Sequence, residues 1–225
     1  MTDLDEAMSD LPPAIPAATV VLVRDGVDGL ETLMLRRNAK GAFGGMWVFP
    51  GGRVDPVDGE GEEGARQAAV RETVEEADLV LEPSVLVPIA HWTPPPVAPK
   101  RFATWFFLAP APSGAVTVDG AEIHEHVWVS PAEALRRRDV GDIELAPPTF
   151  VTLHRLSTLP DVAAALADAA SRPVEYFSTR IVKSTTGDLM AVWQGDIAYE
   201  GGDVDADGGR HRLAMARGGW TYERT

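Results

Sequence analysis

The chain has 225 residues, a formal charge of −14, 45% hydrophobic residues and no cysteine. The charge argues against the phosphate backbone of nucleic acid as a partner, since that contact needs a basic surface. The missing cysteines exclude a disulfide framework and any thiolate metal or redox centre, and no run approaches the roughly 18 apolar residues of a membrane span. The acidic start, MTDLDEAMSD, lacks the basic residues of a secretory signal, so a cytoplasmic location is expected.

In chain order, residues 1–13 read as a loosely tethered tail. Residues 17–24 (AATVVLVR) and 31–36 (ETLMLR) read as two strands of a hairpin, joined across the turn signals Asp25-Gly26 and Asp28-Gly29. Residues 37–45 form a loop, and residues 46–49 a short strand leading into Pro50-Gly51-Gly52. Residues 64–77 then read as an amphipathic helix. Glu72, Glu75 and Glu76, at i, i+3 and i+4, share one face. Val70, Thr73, Val74 and Ala77 lie opposite as the core side, while Ala68 and Ala69 leave room above the acids. Arg71 stands one turn before Glu75 and can hold it. Three carboxylates on adjacent turns repel one another. A hard divalent cation removes that cost, because it takes oxygen ligands and binds substrate phosphates as well. A plain solvated acidic face is the competing reading, and the glycine-rich loop before the helix shifts the balance toward a site.

The run from Gly51 to Leu79 resembles the Nudix box, G-x5-E-x7-R-E-U-x-E-E-x-G-U with U apolar. Gly52, Glu63, Arg71-Glu72, Glu75, Glu76 and Leu79 match. Three positions depart: ten residues instead of five separate Gly52 from Glu63, Thr73 replaces an aliphatic residue, and Asp78 stands at the last glycine. Asp tolerates the left-handed conformation which that glycine adopts at the helix end. Upstream, Arg36, Gly45 and Phe49-Pro50-Gly51-Gly52 give a partial likeness to the coenzyme A diphosphatase-like branch, whereas Met34, Arg37 and Gly41 do not fit its pattern. The resemblance implies an α/β/α sandwich on a mixed β-sheet, an α/β (α+β) fold. It also implies hydrolysis of a nucleoside diphosphate linked to a moiety X such as ADP-ribose, a dinucleotide or coenzyme A. It implies Mg²⁺ or Mn²⁺ on Glu72, Glu75, Glu76 and the carbonyl of Gly52, with Arg71 fixing a ligand and Glu63 bracing the loop. Glu75 or Glu76 would take the proton of the attacking water. A non-catalytic nucleotide-binding module on the same fold is the alternative, favoured by Asp78 and the inserted loop.

Cations near the box that could meet a phosphate are Arg36, Arg37, Lys40, Arg53, Lys100 and Arg101, with Arg101 the first choice. Residues 85–92 read as a strand, 93–99 (TPPPVAP) as a stiff loop, and 101–109 (RFATWFFLA) as an aromatic strand. In that strand Phe102 or Trp105 could stack on a base. Residues 124–129 form a further strand. Glu122, Glu125 and Glu144 are the candidates for an acid from outside the box, with no sequence ground for choosing among them. Ser130-Pro131 and Pro147-Pro148 open helices, and residues 160–170 form another. These elements assign residues 14–171 to the Nudix-like unit. Residues 172–225 read as a β-rich extension, with strands at 176–183, 189–193 and 211–216. Wrapping the unit, covering a sheet edge or building a homodimer contact all suit it equally. The D-x-D-x-D-G run near residue 203 has Ala214 where a calcium loop needs a bidentate Glu, so it reads as an acidic turn.

Overall fold

The computed structural model describes residues 14–39, 43–98, 100–216 and 218–225. The tail at 1–13, Lys40, Gly41 and the last proline of the 93–99 loop lie outside the described residues.

A hairpin begins the fold: β1 (Ile15–Gly26) pairs antiparallel with β2 (Gly29–Arg37) across a tight turn that closes Gly26 on Gly29. β3 (Trp47–Val48), β4 (Gly51–Arg53), β5 (Val87–Thr93), β6 (Phe102–Pro110), β7 (Ile123–Val129) and β8 (Glu175–Ser178) complete an eight-stranded mixed sheet. The order β3-β2-β1-β6-β5-β8 forms its spine, with β4 on β1 and β7 on β2. β1 runs parallel to β6, and β8 runs parallel to β5 at the sheet edge.

Period-two alternation splits β1 between two cores. Ala18, Val20 and Leu22 face helix α1 (Gly61–Ala77), with Leu33, Leu35 and Phe107 beside them. Val21 and Val23 face the other way. There they meet helices α2 (Pro131–Asp139), α3 (Pro147–Leu156) and α4 (Val162–Ala170) through Ala134, Phe150, Leu153, Ala165 and Ala169. The result is the expected α/β/α layering. Ser130 caps α2 by accepting from the N–H of Glu133, and Asp161 caps α4 by accepting from that of Ala164.

The core face of α1 differs from the expectation. Ala65, Ala68, Ala69, Thr73 and Ala77 are buried against the sheet, whereas Val74 is 39% exposed. Alanines let the helix axis approach β1 closely, so Ala68 and Ala69 pack beneath the helix instead of leaving space above the acids. Asp78 adopts φ 56°, ψ 34° and donates its N–H to the carbonyl of Val74, which ends the helix as a glycine would.

Beyond β8, strands β9 (Arg180–Lys183), β10 (Leu189–Val192), β11 (His211–Ala216) and β12 (Gly219–Arg224) make a second, antiparallel sheet ordered β12-β11-β10-β9. The β12 strand was not foreseen. Trp193, Ala191 and Leu213 share one hydrophobic core with α3 and α4, and Trp220 and Tyr222 pack on it. The loop between β10 and β11 is pinned by a buried ion pair, with Arg212 donating twice to Asp196 at 2.6 Å.

Candidate active site

The glycine turn and α1 meet because β4 docks on β1, which pairs Ala18 with Gly52 and Thr19 with Gly51. Thr19 donates its hydroxyl to the carbonyl of Pro50 at 2.6 Å, fixing the turn. Gly51 sits at φ +156°, and its N–H donates to Oε2 of Glu76 at 2.9 Å. A Cβ on Gly51 would collide with the backbone of Ala18 and Thr19, and one on Gly52 would overlap the carboxylate of Glu72. Close approach of the β1 backbone therefore requires glycine at 51, whereas a side chain at 52 would displace the Glu72 carboxylate.

The three acids expected on one face occupy three environments. Glu76 is 4% exposed and lies on the sheet side of α1. Burial pushes its pKa up to about 8, and Glu72 and Glu122 add repulsion, against the Gly51 N–H and Arg37. Glu72 is half-buried, and burial raises it too, with Glu75 and Glu122 adding to the effect. Glu75 has a side chain 56% exposed.

Two arginines bridge these acids. Arg71 reaches Glu72 at 3.0 Å and Glu75 at 3.1 Å. Arg37 reaches Glu76 at 3.5 Å and Glu122 at 2.5 Å. Sequence reading had kept Arg37 only as one surface cation among six. It gains its position from a β-bulge, since the pairing of β2 with β7 shifts register between Arg36 and Arg37. Bulges re-aim side chains. Arg36 instead pairs with Glu125 at 3.2 Å on the exposed part of the sheet. Of the three acids considered from outside the box, Glu122 is brought to the cluster. Glu125 is held by Arg36, and Glu144 is exposed and engages through its carbonyl, which accepts from the N–H of Trp47.

Asp58 was missed. It lies in the loop between β4 and α1 with its side chain 5% exposed and takes a two-point contact from Arg71, Nη2 at 2.9 Å and Nε at 3.2 Å. That contact, above all, holds its carboxyl below the usual range. Asp58 Oδ2 also accepts from the N–H of Asp55 at 2.8 Å. Glu63, the expected brace, is 73% exposed and turns to Arg66 and Gln67. A signal was present in the sequence: Gly52 and Asp58 are separated by the five residues the motif requires, so the extra residues fall after the acid. We expect Asp58→Asn to lower kcat by about 10–100-fold, the usual cost of losing a partner that orients a site residue. Glu63→Gln should stay within about threefold, measured on the same substrate.

Arg53 gives its carbonyl to Arg71 at 3.0 Å and its guanidinium stands 5.9 Å from the ring centre of Phe102, which in turn meets Phe43 at 6.3 Å. Phe43 has φ 62°, rare for a bulky residue. Arg101 is half-buried, and its carbonyl accepts from the N–H of Ile15 at 2.7 Å. Trp105 meets the His91 ring edge-on and stacks with Phe107, packed on the core that α1 covers. Among the described residues no three acidic or histidine side chains are gathered closely enough to hold an ion as they stand, the guanidiniums of Arg71 and Arg37 joining them in pairs.

Comparison with known proteins gives a consistent picture. The family model described as NUDIX domain matches residues 14–147. A Caenorhabditis elegans protein assigned as nudix hydrolase 7 is 29% identical over 168 residues, covering 58% of this chain and 57% of the relative, so the chain spans little more than half that protein's length. The crystal structure of a NUDIX hydrolase from Alicyclobacillus acidocaldarius superposes with TM-score 0.62 at 26% identity, covering 69% of this chain and 96% of that one. The NUDIX domain of Shewanella oneidensis NrtR, solved with ADP ribose, shares the fold at TM-score 0.50 and 19% identity, covering 68% and 96%.

Proposed function

The chain belongs to the NUDIX domain family, and from that membership we propose that it is a Nudix hydrolase using Mg²⁺ or Mn²⁺ to cleave the diphosphate linkage of a nucleoside diphosphate joined to a second moiety. The observation that carries this reading is the seating of Glu76 on the Gly51 N–H and of Glu72 against Gly52. The glycine turn and the acidic helix thus form one assembled site.

The residues fit a divalent cation. Glu72 and Glu76 are both driven up in pKa, by burial first and by mutual repulsion with Glu122 besides, and a cation would relieve both costs. The missing Cβ of Gly52 lets the Glu72 carboxylate lie directly against the glycine turn. Glu72, Glu75, Glu76 and the carbonyl of Gly52 would hold the ion, which supplies charge neutralisation at the diphosphate. Arg71, clamped by Asp58, ties the half-buried Glu72 to the exposed Glu75. Glu76 has the raised affinity for a proton that a base needs, and Glu122 with Arg37 closes the far side. Arg53 and Phe102, one bond from Arg71 through the Arg53 carbonyl, form the wall on which the nucleoside part would rest. Arg36 and Arg101 stand farther out. Asp78 already performs the work of the missing glycine, which removes one ground for the non-catalytic alternative. The cytoplasmic location expected from composition belongs to this same reading; among the described residues no helix is long and apolar enough to cross a membrane.

The test is turnover with Mg²⁺ or Mn²⁺ across ADP-ribose, NADH, coenzyme A, diadenosine polyphosphates and nucleoside triphosphates. At least one should release a mononucleotide, and Glu72→Gln should reduce kcat by about 100-fold or more, the scale of removing a charge-stabilising group. Silence across the whole panel, or a variant as active as the parent chain, rejects the hydrolase.

A further inference from the structure

A cavity of about 190 Å³ opens on the face of the main sheet opposite α1. Its walls come from β5, α3, β8 and β12, so the C-terminal strands complete it. Trp92, Phe177 and Tyr222 supply flat apolar surface, with Trp92 and Phe177 stacked at 3.7 Å between ring centres. Three arginines also line it, Arg155, Arg172 and Arg224.

Charge and hydrogen bonding narrow what could occupy it. Arg155 and Arg172 share the single carboxylate of Asp168, at 2.7 Å and 2.8 Å, and Arg224 is matched by Glu175 at 2.9 Å. Two acids answer three guanidiniums, leaving one positive charge in a chain of net −14. The volume equals that of roughly six waters at about 30 Å³ each, enough for one ring and a small head group.

We propose that this cavity is a binding site for a small monoanion with a flat apolar body, of the aromatic carboxylate class. The carboxylate meets the surplus guanidinium charge, and the ring lies against Phe177 and Tyr222. A dianion such as phosphate overshoots the single surplus charge and leaves the apolar wall uncovered. The site is separate from the acids of α1 and stands whether or not those acids are catalytic.

Calorimetric titration of the full chain with benzoate tests this, with benzyl alcohol and inorganic phosphate as controls. Benzoate should bind saturably at one site, at least tenfold tighter than either control. Arg172→Ala, an exposed position whose loss leaves the Arg155–Asp168 pair intact, should weaken benzoate by about tenfold while melting as the parent does. Glu72→Gln should leave benzoate binding unchanged. The proposal fails if benzoate shows no saturable binding, if phosphate or benzyl alcohol binds as well, or if Arg172→Ala binds benzoate like the parent.

Discussion

Glu76→Gln is expected to abolish turnover, by about 1,000-fold or more, and at the same time to make the cation-free protein harder to unfold at alkaline pH. The first effect follows from its place at the centre of the proposed site. The second follows from linkage. Burial raises the Glu76 carboxyl from 4.5 to about 8 in the folded chain. A group raised on folding contributes stability that is complete below its unfolded value and is lost as pH climbs through the folded one. Between pH 4.5 and 8 the folded chain therefore loses stability to this side chain, and above pH 8 it carries the full cost of a buried carboxylate. Glutamine keeps the acceptor for the Gly51 N–H and never ionises. In chelator at pH 9 the variant should gain roughly 2–4 kcal/mol, about 5–10 °C in melting temperature for a chain of this size. At pH 4 the two proteins should melt together. Equal melting at pH 9 would show that Glu76 is not buried as a charge. Saturating Mg²⁺ should shrink the difference, because it stabilises only the parent's carboxylate.

Asp196→Ala should be the most destabilising single change in the C-terminal strands, at about 3–5 kcal/mol. Asp196 is fully buried at its side chain and Arg212 nearly so, at 0% and 4% exposure. The carboxylate also accepts the N–H groups of His211 and Ala198, both at 2.9 Å. Burial alone would raise its pKa, but Arg212 and these N–H donors hold it below the ordinary value of 3.8. Removing it strands a guanidinium and two N–H donors in the interior. Because its folded pKa is depressed, its contribution is present above the ordinary Asp range and disappears as pH falls below it. Urea unfolding at pH 7, with limited proteolysis mapped to residues 193–212, measures the loss. A cost under about 1 kcal/mol would mean that water reaches the pair.

Much of the fold was legible because local chemistry decides it. The β-branched run in β1, the Ser130 cap and the box spacing each specify one local structure. What escaped has physical causes. The core face of α1 is alanine, too weakly apolar to stand out beside Val70 and Val74, so Glu76 was grouped with Glu72 and Glu75 as an outward-facing acid. Arg37 owes its aim to a bulge, which leaves no sequence mark. Asp196 and Arg212 meet across sixteen positions with nothing in the residues between to announce it. β12 begins in glycines and aromatics, a pattern that reads equally as loop. Asp58 fits the spacing from Gly52 and Glu63 the spacing to Arg71, so the two halves of the motif point to different acids.

The parallel seating of β8 along β5 has a consequence for solubility. A bare β5 would offer its ladder of amides and carbonyls to any passing strand, and such rims are templates for intermolecular pairing. With residues 175–178 paired along that rim, the open margin passes to a strand of only four residues, and so short an edge is a poor template for fibril growth.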